Sequence, residues 1–282
     1  MGTSRSGLFV RSGSRYAWRM FWERYRLWWR RVLLVANVAM PPLVIADKFS
    51  SMVLIAVAVT AHGLLLLAIL HPRCPWLGPV VRSFRTERRA VWLTIDDGPD
   101  GAETLRLSEE LRRRGVSATF FFIGEKLGRQ PEIAGALMAS GHTIGNHTAT
   151  HPRSRMWSLG RGTLGGEVDG CAAVLRGVKV ETVLFRAPVG HKPPALSAVL
   201  ASRGLRHVGW TTGGSDGHDE NVARTVSRIV REARAGGIVL LHECRPHSAE
   251  TILGVVAALT AEGFEFVVPA VESLEEALPA RS

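Results

Sequence analysis

Between positions 91 and 268 the chain alternates short apolar, strand-like runs with helix-like runs, and no other feature limits its fold as strongly. Strands are expected at 91–95, 118–123, 183–186, 205–210, 238–242 and 264–268, and helices at 102–114, 131–139, 165–175, 194–202, 221–235 and 249–262. The helix from Asn221 follows Asp219 and Glu220, acidic residues suited to the positive end of a helix. Such alternation implies an α/β fold with a parallel sheet wrapped by helices. A closed or nearly closed, distorted (β/α) barrel is its simplest form. Barrels of this kind place their chemistry at the C-terminal ends of the strands.

The run Val91-Trp92-Leu93-Thr94-Ile95-Asp96-Asp97-Gly98-Pro99 puts two adjacent carboxylates at such an end. Taken alone, Asp-Asp-Gly-Pro is an ordinary turn. Successive strand side chains point to opposite faces, so the two carboxylates cannot share a task unless the chain bends between them. One is then free to bind a metal while the other handles a proton.

The chain has a net charge of +10, which by itself suits a nucleic-acid binder, but the charge is not evenly spread. Residues 1–90 carry thirteen Arg and one Lys against Glu23, Asp47 and Glu87, so the rest is close to neutral. A membrane surface is the expected basic-region partner, and no nucleic acid is expected. Residues 1–31 read as a basic aromatic arm. Its start is Gly-, Ser- and Arg-rich, and an amphipathic interfacial helix follows in which Trp18, Phe21, Trp22, Tyr25, Trp28 and Trp29 recur at helical spacing between arginines.

Residues 32–70 hold one or two transmembrane helices on this reading. The stretch 52–70 is 19 residues without a formal charge, close to the ~20 that span a bilayer, whereas 32–46 is shorter and contains Pro41-Pro42. Arginines flank both ends of the region, which favours a hairpin in the cell (inner) membrane with the C-terminal domain in the cytoplasm. A single span would put that domain outside. Residues 71–90 read as a basic linker containing Cys74, a candidate for acylation. The three cysteines imply no disulfide framework and no Cys-x-x-Cys metal pair.

Three further segments carry chemistry. In Gly145-Asn146-His147-Thr148-Ala149-Thr150-His151-Pro152 two histidines four apart are expected to meet on one face of a helical turn and, with a strand-end Asp, to complete a two-His, one-carboxylate metal site. Phe185-Arg186-Ala187-Pro188-Val189-Gly190 places an Arg at a strand end before a rigid turn, suited to aiming a carboxylate. Ile238-Val239-Leu240-Leu241-His242 is a buried strand ending in His. Each alone has a bland reading: a chance His pair, a structural Arg, a core His.

Together, in this order, these segments resemble the polysaccharide deacetylase family, also called the NodB-homology or carbohydrate esterase family 4 domain, over residues 91–278. The family's Thr-Phe-Asp-Asp-Gly-Pro corresponds to Thr94 to Pro99 with Ile95 in place of Phe. The resemblance implies Asp96 as general base, Asp97, His147 and His151 as ligands of a divalent metal, and Arg186 as the group that orients the base. It implies His242 as general acid. Two His and one Asp suit Zn²⁺, while cobalt, nickel or manganese also fit.

The chain departs from the family in two places. Val189 stands where the family usually has an aromatic, which removes a groove wall but keeps a backbone N–H for an oxyanion. Pro188 and Val189 are the implied substrate-binding positions. The Asp-x-x-Asp-Trp motif is degraded in 210–217, leaving Asp216 to tune His242.

The expected activity is hydrolysis of an N-acyl group, acetyl first, from an amino sugar of a polysaccharide or glycolipid. At the cytoplasmic face a lipid-linked or nucleotide-linked sugar would be favoured, as for related deformylases of polyprenyl-phosphate sugars. At the outer face peptidoglycan or exported glycan would be. Two other classes stand beside it: a catalytically inactive glycan-binding module, and a metal phosphoesterase using Arg186 and Lys192 as phosphate clamps. The glycine-rich stretch 160–166 reads as linker or as a loop over the site.

Overall fold

The computed structural model describes Val35, Val38 and residues 51–214, 216 and 221–277. The arm at 1–31, the first apolar run at 32–46 apart from the helical Val35 and Val38, and the connector after it lie outside the described residues. The chain divides into two compact units, Met1–Leu67 and Ala68–Ser282.

Helix α1, Ser51–Leu70, is 20 residues long and has no acidic or basic residue in its first or last turn. Its exposed side chains include Ile55, Val57, Val59, Leu64, Leu66 and Leu67. Side chains are described from Ile55 onward, and among the described residues no helix is long and apolar enough to cross a membrane. The transmembrane expectation therefore rests on the sequence alone.

In the second unit, ten strands form one sheet. The central ones are β2 (Ala90–Asp96), β3 (Ala118–Phe122), β4 (Thr143–Asn146), β5 (Leu184–Phe185), β6 (Arg206–His207) and β8 (Gly237–His242), ordered β8-β2-β3-β4-β5-β6 and all parallel. β1 (Val80–Phe84) lies antiparallel to β8 and to β10 (Leu274–Ala277). A bridge from Val81 to Val208, just past β6, curls the sheet back toward its own first strand. Short strands β7 (Thr212–Gly213) and β9 (Glu265–Phe266) pair with β8 and β2.

The period-2 rule sorts β2 into two faces. Val91, Leu93 and Ile95 join the core under the helices, with Leu107 and Leu111 of α2 (Ala102–Arg113), Ile229 of α7 (Val222–Glu232) and Ile252 and Val255 of α8 (Ser248–Ala261). Trp92 points the other way, into a cluster with Val81, Phe121, Val208 and Ile238 inside the curl. Thr94 and Asp96 share that inner parity.

Some expected elements change. Residues 71–90, expected as linker, contribute β1, whose Val-Val-Arg-Ser-Phe run has little strand pattern of its own and which pairs with β8 on one side and β10 on the other. The stretch 160–166 is neither linker nor lid: Gly160 caps α5 (Arg161–Gly177), and its glycines form the first turns of that helix. Among the described residues, α3 (Gly124–Arg129), α4 (Glu132–Ala139) and α6 (Leu196–Ala201) complete the α-helices of this unit.

Candidate active site

Parallel pairing sets the first geometry. Asp96, last residue of β2, is the register partner of His242, last residue of β8, so two strand ends deliver an acid and an imidazole side by side. Just beyond it the chain bends: Asp97 has φ 73°, a left-handed conformation that non-glycine residues rarely adopt. The bend turns Asp97 toward the cleft that Asp96 already faces. A Gly98–Pro99 cis peptide follows.

Arg186, just after β5, is fully buried. It donates from Nη1 to Asp96 Oδ1 and to Thr94 Oγ1, each at 2.8 Å, from Nη2 to the Gly209 carbonyl at 2.9 Å and from Nε to the Val208 carbonyl at 3.1 Å. Its guanidinium also lies over the Phe121 ring, 4.3 Å from the centroid. Four of its five N–H donors are used, so Asp96 is held in place by a guanidinium that is itself fixed from several sides.

His147 and His151 follow β4, but not on a helical turn. Thr148 and His151 have positive φ (70° and 56°), and the loop is irregular, held by Thr148 N–H to Asn146 Oδ1 and His151 N–H to Thr148 Oγ1. The imidazoles still converge: Nε2 of His151 is 3.1 Å and Nε2 of His147 3.4 Å from Asp97 Oδ1.

Asp97, His147 and His151 form the metal-competent cluster among the described residues, their donor atoms all within 4.8 Å of one another. The donor chemistry fits a divalent ion. His147 Nδ1 pairs with the Arg186 carbonyl at 2.9 Å, which fixes its proton there and leaves the Nε2 lone pair facing the cluster. Burial pushes the Asp97 carboxyl up, but hydrogen bonds and charge from His147 and His151 outweigh it and hold the group well below the usual carboxylate range. Burial pushes His151 down, toward the neutral form that ligates.

At the other strand end, Asp216 accepts from the His242 backbone N–H at 2.7 Å and pairs with Nδ1 at 3.0 Å, leaving Nε2 for the cleft. Burial favours the neutral ring, yet the Asp216 hydrogen bond and charge outweigh it and raise the His242 pKa. Val189 (φ 49°) lines the cleft and is half-exposed, whereas Pro188 is buried behind it and shapes the turn rather than touching the cleft.

Several lining or supporting residues carry no signal in the sequence. Arg245 donates to Asp97 Oδ2 at 3.0 Å, Trp210 and Pro72 complete a wall, and Arg153 sits at the rim. Glu243 N–H bonds the Asp96 carbonyl, and its carboxyl takes the Thr104 hydroxyl at 2.7 Å. Burial raises that carboxyl to about 7. Lys192, which a phosphoesterase would need as a clamp, is buried and bonded to the His71 carbonyl, and Arg186 is equally engaged.

Comparison with known proteins identifies the family. The family model for polysaccharide deacetylase matches residues 84–208. A chitooligosaccharide deacetylase of Bradyrhizobium sp. is 35% identical over 167 residues, 57% of this chain and 74% of the relative. A peptidoglycan-N-acetylglucosamine deacetylase of Bacillus cereus is 30% identical over 196 residues, 67% of this chain and 91% of the relative. Among solved structures, a family 4 carbohydrate esterase from Streptomyces lividans in complex with acetate matches with TM-score 0.60 and 27% identity, covering 66% of this chain and 95% of that one. The chain thus belongs to the polysaccharide deacetylase family and is a hydrolase of carbon–nitrogen bonds other than peptide bonds.

Proposed function

We propose that this protein is a membrane-anchored, metal-dependent deacetylase that removes the N-acetyl group from N-acetylglucosamine-type residues of a glycan. The observation that carries the reading is the convergence of Asp97, His147 and His151 beside the Asp96–His242 register pair. The named activities of the Bradyrhizobium and Bacillus relatives support the choice of sugar.

Bound by Asp97, His147 and His151, a divalent ion such as Zn²⁺ would polarise the acyl carbonyl and acidify a water. Asp96, pinned by Arg186, takes the proton from the attacking water. The Val189 backbone N–H serves the oxyanion of the tetrahedral intermediate. His242, its pKa raised by Asp216, protonates the nitrogen as the amide bond breaks, because an amine leaves poorly without that proton. Trp210 and Val189 hold the sugar. An inactive binding module would have no need of this full set in one cleft.

Anchoring rests on the uncharged run 52–70 and the arginine-rich arm, and the arginines on both sides of the apolar region favour a hairpin with the domain at the cytoplasmic face. Topology reporters fused after Leu70 and after Ser282 test that sidedness, and a periplasmic readout at Ser282 would refute it. For the chemistry, purified full-length protein supplied with Zn²⁺ is incubated with chitotetraose and the liberated acetate measured. Chelation and Asp97→Ala are each expected to abolish both zinc binding by calorimetry and acetate release. Zinc binding unchanged in Asp97→Ala would overturn the assignment of the site.

A further inference from the structure

A second cavity, of about 280 Å³, lies between the start of α2 and the loop that joins β8 to α8. Arg245 lines both this cavity and the catalytic cleft. The other charged walls are Asp100, Glu103, Arg106, Glu243 and Glu250, so four carboxylates face two guanidiniums. None of the four takes part in the hydrolysis described above.

Two of these carboxylates already have partners. Glu103 accepts from Arg106 at 2.6 Å, and Glu250 pairs with His247 Nδ1 at 3.1 Å. The other two do not. Glu243 is only 3% exposed; its Oε1 takes the Thr104 hydroxyl, but its Oε2 is buried with no hydrogen-bond partner. Asp100 is exposed, and its carboxylate is in no ion pair among the described residues. Burial first, and then the nearby Asp100 charge, push the Glu243 carboxyl up, so the two acids lie close enough to repel. Arg245 adds an orphan of the opposite kind: its Nη2 holds Asp97, while its Nε is buried without an acceptor. Orphaned polar atoms on the walls of one cavity are costly until a ligand pairs with them.

These atoms call for a cation beside Glu243 and Asp100 and an acceptor oxygen at Arg245. A metal ion does not answer, because among the described residues the Asp97, His147 and His151 cluster is the group whose donors lie close enough to hold one. An amino sugar with a free amine does. Its ammonium donates to the carboxylates and its hydroxyl oxygens accept from a guanidinium. An N-acetylated sugar has a neutral amide there and leaves the acids uncompensated. Removal of an acetyl group produces the very amine the cavity lacks.

We propose that this cavity is a subsite for an already deacetylated unit of the glycan, its ammonium held by Glu243 and Asp100, while an N-acetylated unit of the same chain occupies the catalytic cleft. The inference rests on the deacetylase reading above and adds a preference for partly deacetylated chains.

The test uses the purified full-length, zinc-loaded protein and its Glu243→Gln and Asp100→Asn variants. Calorimetry measures binding of tetraglucosamine, which has no acetyl group to lose. Initial acetate release is then compared for chitotetraose and for the same tetramer with one unit deacetylated. Because Asp100 is exposed, its variant keeps the fold and serves as the check should Glu243→Gln unfold.

Each variant is expected to weaken tetraglucosamine binding by about 10- to 100-fold, the loss of one charged hydrogen bond. The partly deacetylated tetramer should show a KM about 10-fold below that of chitotetraose at similar kcat, and Asp100→Asn should erase that gap. Binding of tetraglucosamine that is unchanged in Asp100→Asn and in folded Glu243→Gln would overturn the subsite. So would its failure to bind the wild type while chitotetraose still releases acetate, which leaves the deacetylase intact. Acetate from neither tetramer would overturn the deacetylase reading and the inference with it.

Discussion

Replacing Asp216 by Asn tests how the general acid is kept charged. In the folded protein His242 is almost wholly enclosed, and burial alone would favour the neutral ring. The Asp216 carboxylate reverses this through one bond to Nδ1 at 3.0 Å and one to the backbone N–H at 2.7 Å. An Asn keeps an oxygen for the backbone N–H but removes the charge.

Hydrogen bonds to a charged group contribute about 1.5–3 kcal/mol, and a pKa unit corresponds to about 1.4 kcal/mol, so the His242 pKa should fall by about one to two units. The general acid must be protonated, so activity is lost as pH rises through that pKa. The basic limb of the kcat/KM profile for acetate release should move down by the same one to two units in Asp216→Asn, with smaller change below the new limb. Stability moves with it. The raised folded pKa contributes stability that is present below the free imidazole value of about 6.5 and lost as pH rises through the folded value. The wild type should therefore lose stability to urea as pH rises above about 6.5, and that loss should shrink in Asp216→Asn. A basic limb that stays in place while the variant remains folded would refute the reasoning.

Arg186→Met should destabilise the protein by about 3–5 kcal/mol, because it strands the Asp96 carboxylate and the Val208 and Gly209 carbonyls in a buried site; urea unfolding measures it, and a loss below 1 kcal/mol would contradict the pairing. Gly190→Ala combines a left-handed backbone with a methyl driven against Trp210 and Pro72, so a loss of about 1–3 kcal/mol in thermal or urea unfolding, together with a raised KM, is expected. Arg245→Ala frees one oxygen of Asp97 from its cation and should change zinc affinity measured by calorimetry while leaving the far-ultraviolet circular dichroism unaltered.

The strands that carry the site were legible in the sequence for a definite reason. Val91 to Ile95 and Ile238 to Leu241 are unbroken β-favouring apolar runs, and both form central strands buried on both faces. β1, β4 and β10 were not legible. Val-Val-Arg-Ser-Phe, Thr-Ile-Gly-Asn and Leu-Glu-Glu-Ala have too little hydrophobic pattern of their own and become strands through their neighbours' hydrogen bonds. The helical turn expected for His147 and His151 failed because spacing alone does not set backbone conformation: the bond from Thr148 N–H to Asn146 Oδ1 favours an irregular loop that brings the same imidazoles together by another path.

By itself the sequence determined the alternation that makes an α/β sheet and the strand ends that bear Asp96, Arg186 and His242, since burial and β propensity act locally and leave a pattern. Only the tertiary structure decided that Asp97 turns toward the same cleft as Asp96, that Arg245 reaches Asp97, and that Lys192 clamps the end of α1 so that Pro72 becomes a wall of the site. Those contacts join residues 148 and 121 positions apart in the Arg245–Asp97 and Lys192–His71 pairs. Each arises from how packed strands and loops bring distant side chains within reach, and no local spacing encodes it.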